Sequence, residues 1–196
     1  MSGGGIKLSI LIATTLDRAA LFDRLYTEFI RQKTDDVEIL FAQDNKEMSI
    51  GSKRQLLLTM AKGDYIVFFD SDDWPMPFYV GEILRALKTN PDCVGFLIHM
   101  TTNGKKPQVC CHSLRFKVWA EKKSGYDYVR SPGHFNPIKR DIALRVGFGD
   151  KRYGEDHDYS RRVTPLLKTE VFINKKLFHY RYSNKENFKK KYGFIK

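Results

Sequence analysis

Three carboxylates fall within four residues at Asp70-Ser71-Asp72-Asp73, directly after the apolar run Ile66 to Phe69. Packed together and unpaired, they repel one another and are costly to bury. A hard divalent cation relieves that repulsion, and Mg2+ or Mn2+ held by one or two carboxylates normally also holds substrate phosphates. An acidic turn capping the next helix is the plainer reading of the same tetrapeptide. A second acidic group, Gly154-Glu155-Asp156-His157-Asp158-Tyr159, opens an expected helix. An aspartate held at such a start beside a glycine loop suits a general base, a role in which geometry comes before pKa. Ordinary charge at a helix N-terminus is the alternative. A third group, Gly51-Ser52-Lys53-Arg54, puts two cations at a helix start, where they suit a diphosphate or a base edge. A solvated helix turn would look the same.

Other chemistries are excluded by spacing. Gly147-x-Gly149 does not continue into a dinucleotide fingerprint, and no Lys-Ser/Thr follows Gly149 to Gly154 to complete a phosphate loop. The histidines at 99, 112, 134, 157 and 179 form no i,i+4 pair. Cys93, Cys110 and Cys111 form neither a disulfide framework nor a C-x-x-C zinc motif, which fits a reducing compartment.

The elements that must position these groups alternate. Lys7 to Thr14 reads as a buried strand, and Asp17 can cap a helix with Leu21, Phe22, Leu25, Tyr26, Phe29 and Ile30 on one face. Val37 to Ala42 is a second strand, ending at Gln43-Asp44. Ser49 or Ser52 can cap a helix through Leu56, Leu57 and Met60, with Gly63 as its C-terminal glycine. Asp64 to Phe69 is a third strand. Pro77 can start a helix bearing Val80, Ile83, Leu84 and Leu87, and Cys93 to Met100 is a fourth strand. Such alternation predicts an α/β sandwich with a mostly parallel central sheet and helices on both faces. Ligands of such sheets bind beyond the carboxyl ends of the strands, so Thr14-Thr15, Asp44-Asn45 and Asp70 to Asp73 are expected to converge on one crevice. Farther on, Val109 to Phe116 and Tyr126 to Val129 read as strands and Pro137 to Val146 as a short helix. A glycine loop at 147–154 leads into a helix at Glu155 to Val163. Thr169 to Ile173 and Leu177 to Tyr182 read as two closing strands.

The chain has 196 residues, 42% hydrophobic and 29% charged, which excludes wholesale disorder and suits one domain. Residues 1–104 carry 11 Lys/Arg and 14 Asp/Glu, a net of −3, while residues 105–196 carry 23 and 9, a net of +14. The second half is therefore expected to face a polyanion, or to present a solvated basic surface. Lys185 to Lys196 adds lysines interleaved with Phe188, Tyr192 and Phe194. No apolar run approaches the ~18 residues of a spanning helix, and the start, MSGGG, lacks signal-peptide character. The expected location is cytoplasmic.

Taken in order, Asp44 to Trp74 (DNKEMSIGSKRQLLLTMAKGDYIVFFDSDDW) and Val146 to Val163 (VGFGDKRYGEDHDYSRRV) resemble family 2 glycosyltransferases of the GT-A fold, and the resemblance runs from LSILIATTLDR to LFHYRYS. It implies a Rossmann-like sandwich and roles for matching positions. Thr14, Thr15 and Arg18 match the loop lining the nucleotide. Asp44 matches the residue recognising the base, usually uracil, and Lys53 and Arg54 the basic pair flanking base and diphosphate. Asp70 and Asp72 match the D-x-D, the first toward the ribose and the second on Mn2+ or Mg2+, with Asp73 and Glu155 in support. Asp156 matches the catalytic base, and His179 lies where relatives bring a C-terminal metal ligand. Gln55 and Asn45-Lys46-Glu47 depart from the common pattern. Residues 1–104 would be the nucleotide-sugar-binding half and 105–196 the acceptor-binding, catalytic-base half of one continuous domain.

The implied reaction is inverting, metal-dependent transfer of a sugar from a nucleotide diphosphate, expected to be a UDP-sugar, to an acceptor hydroxyl. The basic half suggests a polyanionic acceptor. One candidate is DNA bearing hydroxymethylated pyrimidines, as in phage-type DNA modification in a host cytoplasm. A cell-surface or capsid glycan is the competing candidate. A nucleic-acid-binding module without catalysis is the rival of another class, although no helix-turn-helix, zinc-finger or RNA-binding motif is present. A sugar nucleotidylyltransferase would need a glycine-rich loop after the first strand, and IATTLDR has none.

Overall fold

The computed structural model describes residues 5–182. Residues 1–4 and the basic tail from residue 185 lie outside the described residues. In chain order the elements are β1 (Leu8–Thr15), α1 (Ala19–Gln32), β2 (Val37–Asp44), α2 (Ile50–Met60), β3 (Tyr65–Asp70), β4 (Trp74–Pro75) and α3 (Tyr79–Leu87). There follow β5 (Cys93–Thr102), β6 (Lys105–His112), β7 (Ala120–Lys123), β8 (Tyr126–Arg130), β9 (Ile138–Lys139), α4 (Arg140–Val146), α5 (Glu155–Val163) and β10 (Glu170–Tyr182).

One sheet runs β2-β1-β3-β9-β5-β6-β8-β7, with β10 beside β5 and β4. β1 pairs in parallel with β2 and β3, and β10 in parallel with β5, while β5 pairs antiparallel with β6. Side chains of a strand alternate between faces. Accordingly Ile10, Ile12, Val67 and Phe69 join α1 and α3 in one core, while Leu11, Ala13, Ile66 and Phe68 join α2, α4 and α5 in the other. Both faces of the central strands are covered, which explains their unbroken apolar sequences. Phe69 is packed edge-on by Phe29, Tyr79 and Phe178, locking α1, α3 and β10 onto β3.

The register sets the site. Thr15 pairs with Asp44 and Ala13 with Asp70, so the carboxyl ends of β1, β2 and β3 are level. Farther along, Phe178 and His179 of β10 pair antiparallel with Pro75 and Trp74, which pins the segment leaving the acidic turn.

Several local expectations are corrected. Asp17 caps no helix: a 3-10 turn at Leu16–Arg18 intervenes, and the Asp17 carboxylate instead accepts from Thr15 Oγ1 at 2.5 Å and pairs with Lys46 at 2.7 Å. Ser49, not Ser52, caps α2, accepting from the Ser52 N–H at 3.0 Å. Leu56 and Met60 are exposed, and the buried stripe of that helix is Leu57 and Leu58. Gly63 ends no helix in a left-handed turn. It is needed because a Cβ there would lie 2.7 Å from the Ser9 backbone nitrogen. The two closing strands are one, β10, whose register slips between Ile173 and Phe178 where two irregularities interrupt the pairing. β7 has no apolar alternation and was not foreseen. The three cysteines are free and buried.

Candidate active site

The acidic turn leaves β3 at the crevice. The Asp70 N–H donates to Asp73 Oδ2 at 3.2 Å and the Asp73 N–H to the Asp70 carbonyl at 3.0 Å, so Asp73 folds inward as the buried brace of the turn. Its Oδ1 is buried without a partner. Burial, then the charges of Asp70 and Asp72, push the Asp73 carboxyl well above the usual range. Asp72 points outward and is also raised, chiefly by burial, with Arg18 opposing and Asp70 adding to the shift. Arg18, from the turn after β1, reaches Asp72 Oδ2 at 3.1 Å and Oδ1 at 3.4 Å.

Asp70 faces the interior. Its Oδ1 accepts from Arg54 Nη2 at 2.8 Å, and Arg54 Nη1 donates to Glu155 Oε1 at 2.7 Å. Arg54 is 2% exposed, with its guanidinium 5.9 Å from the rings of both Phe68 and Phe148. A fixed planar fork thus joins the end of β3 to the first turn of α5. Burial raises the Glu155 carboxyl, Arg54 opposes, and the charges of Asp156 and Asp70 add to the rise. Lys53 is buried as well: its Nζ donates to the Thr14 carbonyl at 2.7 Å and pairs with Asp44 Oδ1. Burial raises Asp44, but Lys53 and the Met48 and Lys46 N–H groups outweigh it, and its carboxyl ends below the ordinary range. The two cations foreseen on a diphosphate are therefore enclosed between strand ends. Thr14 Oγ1 is buried and unpartnered at the same place.

Gly51 explains the glycine of the same motif. A Cβ there would meet the Gly149 carbonyl oxygen at 2.0 Å, and the Gly51 N–H donates to the Lys151 carbonyl at 3.0 Å. Ser49 and Ser52 both donate to Asp150 Oδ1, at 2.5 and 2.7 Å. Gln55, where the resemblance expects Asn, accepts the Phe148 N–H at 2.8 Å. The 147–154 loop is thus fastened to α2, and Gly154, at φ +74°, turns the chain into α5.

Asp156 follows Glu155 and, half-buried, lines a pocket of about 390 Å³. Tyr180 lines it too. Burial raises the Tyr180 hydroxyl above the ordinary phenol value, helped in order by the charges of Asp73, Asp70, Asp72 and Asp156. All four carboxylates lie within electrostatic reach of one phenol. A larger cleft, about 820 Å³, opens at the amino ends of β1 and β3, where Lys7 is paired with Asp64. It lies away from this cluster.

His179 Nε2 is 2.7 Å from Thr101 Oγ1, and its ring is 4.7 Å from that of His99. Burial, then His99, lower its pKa, leaving a neutral imidazole. Among the described residues no three His, Cys, Asp or Glu side chains form a ready metal cage. The turn nonetheless fits a hard cation: it offers only oxygen donors, its Asp73 Oδ1 is orphaned, and Mg2+-type sites take one or two carboxylates plus phosphate and water. Sequence reasoning missed the bridging role of Arg54, and it missed His134. That histidine stands in the turn at 133–136, just after Pro132, 5% exposed, with its Nε2 3.9 Å from Asp70 Oδ2 and without a hydrogen-bond partner. A histidine in a proline–glycine turn after a strand was its only signal.

The profile of Glycosyl transferase family 2 matches residues 49–147, and the chain belongs to that family. The matched span holds Lys53, Arg54 and the acidic turn. The fold is similar to that of S. aureus TarS residues 1–349 in complex with UDP (TM-score 0.68, 13% identity), over 94% of this chain and 63% of that one. The same TarS portion with UDP-GlcNAc gives 0.67 and 12%, over 90% and 58%. The mannosyltransferase PcManGT from Pyrobaculum calidifontis, in complex with GDP-Man and Mn2+, gives 0.61 and 12%, over 91% and 57%. The chain thus spans about three fifths of the structures it resembles. No curated protein matches it. The architecture is the GT-A sandwich that the resemblance implied.

Two outcomes follow from the buried charges. Replacing Arg54 by Met strands the carboxylates of Asp70 and Glu155 and is expected to cost about 3–5 kcal/mol in urea unfolding. Adding Glu155→Gln to that variant should restore part of the loss. Asp73 holds its proton more tightly folded than unfolded, so its contribution to stability falls as pH rises above the ordinary carboxylate value. Asp73→Asn is therefore expected to raise the thermal midpoint at pH 7, with the gain shrinking as pH falls toward 4. An equal gain at both pH values would contradict the assignment.

Proposed function

We propose that this chain transfers a sugar, with inversion, from a nucleotide diphosphate donor, a UDP-sugar, to a hydroxyl of a polyanionic acceptor, with DNA bearing hydroxymethylated pyrimidines as the acceptor class. The observation that carries this reading is the Arg54 fork. By tying Asp70 to Glu155 it links the end of β3 to the first turn of α5, which carries Asp156, and so supports a crevice shared by the acidic turn and Asp156.

In this reading the donor lies along the carboxyl ends of β1 to β3. Asp44 meets the base, Thr14 and Thr15 line the nucleotide, and Asp70 faces the ribose side. Lys53 and Arg54 act from beneath, holding Asp44 and Asp70 in place. Asp72, with Asp73 behind it, would hold Mn2+ or Mg2+; His179 would have to leave Thr101 to join them. Such a cation, when bound, neutralises charge on the leaving diphosphate. Arg18 then exchanges Asp72 for a phosphate oxygen.

The acceptor hydroxyl attacks the anomeric carbon as the bond to the diphosphate breaks, and the bonding pair leaves on the diphosphate oxygen. Asp156 takes the hydroxyl proton. A single base opposite the leaving group gives one displacement, hence inversion, through an oxocarbenium-like transition state. Glu155, paired with Arg54, orients the first turn of α5 and takes no proton.

Asp156→Asn is expected to lower sugar transfer at least 100-fold while changing UDP affinity less than threefold, read by product assay and calorimetry with Mn2+. Transfer within tenfold of wild type would overturn the role of Asp156. Wild-type protein that binds nucleic acid but neither binds nor hydrolyses any UDP-sugar would leave the binding-module reading in its place.

A further inference from the structure

The pocket of about 390 Å³ that contains Asp156 is rich in rings. The Arg130 guanidinium lies against the rings of Trp119 and Tyr128, 5.0 and 5.3 Å from their centroids. Arg130 is itself fixed by bonds to the carbonyls of Ala120 and Val129, at 3.1 and 2.9 Å. Trp119 Nε1 donates to Ser160 Oγ at 3.3 Å, which anchors the indole to α5, the helix that carries Asp156. Phe135 and Tyr180 meet edge-on at 6.1 Å. These rings are held in place before any ligand arrives.

Two further observations point to a ligand. His134 lines the pocket and is 5% exposed, and its Nε2, 3.9 Å from Asp70 Oδ2, has no hydrogen-bond partner. A buried polar group left unpaired is costly unless something binds it. The strands around the pocket are also strongly basic: residues 105–130 hold seven Lys/Arg (Lys105, Lys106, Arg115, Lys117, Lys122, Lys123, Arg130) against Glu121 and Asp127, a net of +5. Rigid aromatic and guanidinium faces inside a basic surface are how proteins hold single nucleic-acid strands, with phosphates on the cations and bases on the rings.

We propose that this pocket is the acceptor subsite and takes one unstacked nucleobase from a single DNA strand, stacked on the Trp119–Arg130–Tyr128 wall, with the base-borne hydroxyl between His134 and Asp156. The inference rests on the reading of Asp156 as the base and adds the ring that it serves. Lys122 and Lys123, in the β7–β8 hairpin, track the strand's phosphates. A base inside a duplex cannot reach the pocket, so the substrate is single-stranded or has that nucleotide turned out of the stack.

The chain has two tryptophans, so Trp74→Phe leaves Trp119 as the sole indole reporter. That variant is titrated with a short oligothymidine carrying one 5-hydroxymethylcytosine, with the same strand abasic at that position, and with heparin as a polyanion without bases. The base-bearing strand is expected to quench Trp119 and to bind at least fivefold tighter than the abasic strand, and heparin to leave the emission unchanged. In the otherwise unaltered protein, Tyr128→Ala is expected to weaken binding of a labelled strand about tenfold by anisotropy. Equal affinity for the two strands, no binding of either, quenching by heparin, or an unaffected Tyr128→Ala variant would each overturn the proposal. UDP-sugar hydrolysis is measured on the same preparations. Hydrolysis without strand binding removes the base-stacking subsite and leaves the donor chemistry standing. Strand binding without hydrolysis removes the donor chemistry instead.

Discussion

The Arg54 guanidinium is the constraint around which the crevice is built. A buried cation must be neutralised, and this one is neutralised by two carboxylates from distant parts of the chain, Asp70 at the end of β3 and Glu155 at the start of α5. The planar fork fixes both distances at once, so neither element can shift without stranding a charge. Its neighbour Lys53 does the same between β1 and β2, through the Thr14 carbonyl and Asp44. Two successive residues of one helix therefore hold three strand ends and a second helix in register. The half-buried carboxylates, Asp72 and Asp156, lie beside anchored residues and inherit their positions.

The rest of the fold serves this arrangement. Gly51 lets α2 approach the 147–154 loop closely enough for its N-cap serines to share Asp150, which delivers Gly154 and hence α5. Arg162 closes the same unit from the other side, donating to the Val146 and Gly147 carbonyls at 2.5 and 2.9 Å while Asp158 holds its Nε at 2.8 Å. The irregular register of β10 brings Phe178 into the core and leaves Tyr180 at the pocket. Charge is thereby divided: Asp44, Asp70 and Glu155 are matched by Lys53 and Arg54, the buried Asp73 and half-buried Asp72 keep raised proton affinities, and Asp156 faces the open pocket.

What could be read from the residues was what local physics determines. β1 and β3 were legible because strands buried on both faces have unbroken apolar sequences, and β2, half-buried at the sheet edge, from its Ile39 to Ala42 run. The helix at Glu155–Val163 was legible from its acidic first turn and preceding glycine. Convergence of Thr14, Asp44 and Asp70 followed from parallel topology, and the register bears it out. Partnerships across the chain were not legible. Nothing near Arg54 signals that its charge is matched 101 residues away, or that Gly51 faces Gly149. Asp17 and Gly63 misled because each type has a common helix-end role, whereas here a salt bridge and a close backbone approach claimed them. The aromatic pocket escaped because Trp119, Tyr128, Phe135 and Tyr180 come from separate segments with no shared periodicity.

In the proposed reading one fork-held crevice seats the donor's diphosphate at Asp72 with Asp156 on the facing side. The direct measurement is a crystal structure with UDP and Mn2+. Diphosphate and metal density are expected at Asp72, uracil near Asp44, and Arg54 still bridging Asp70 and Glu155. A nucleotide seated elsewhere, or an Arg54 that abandons Glu155 for the phosphates, would contradict it.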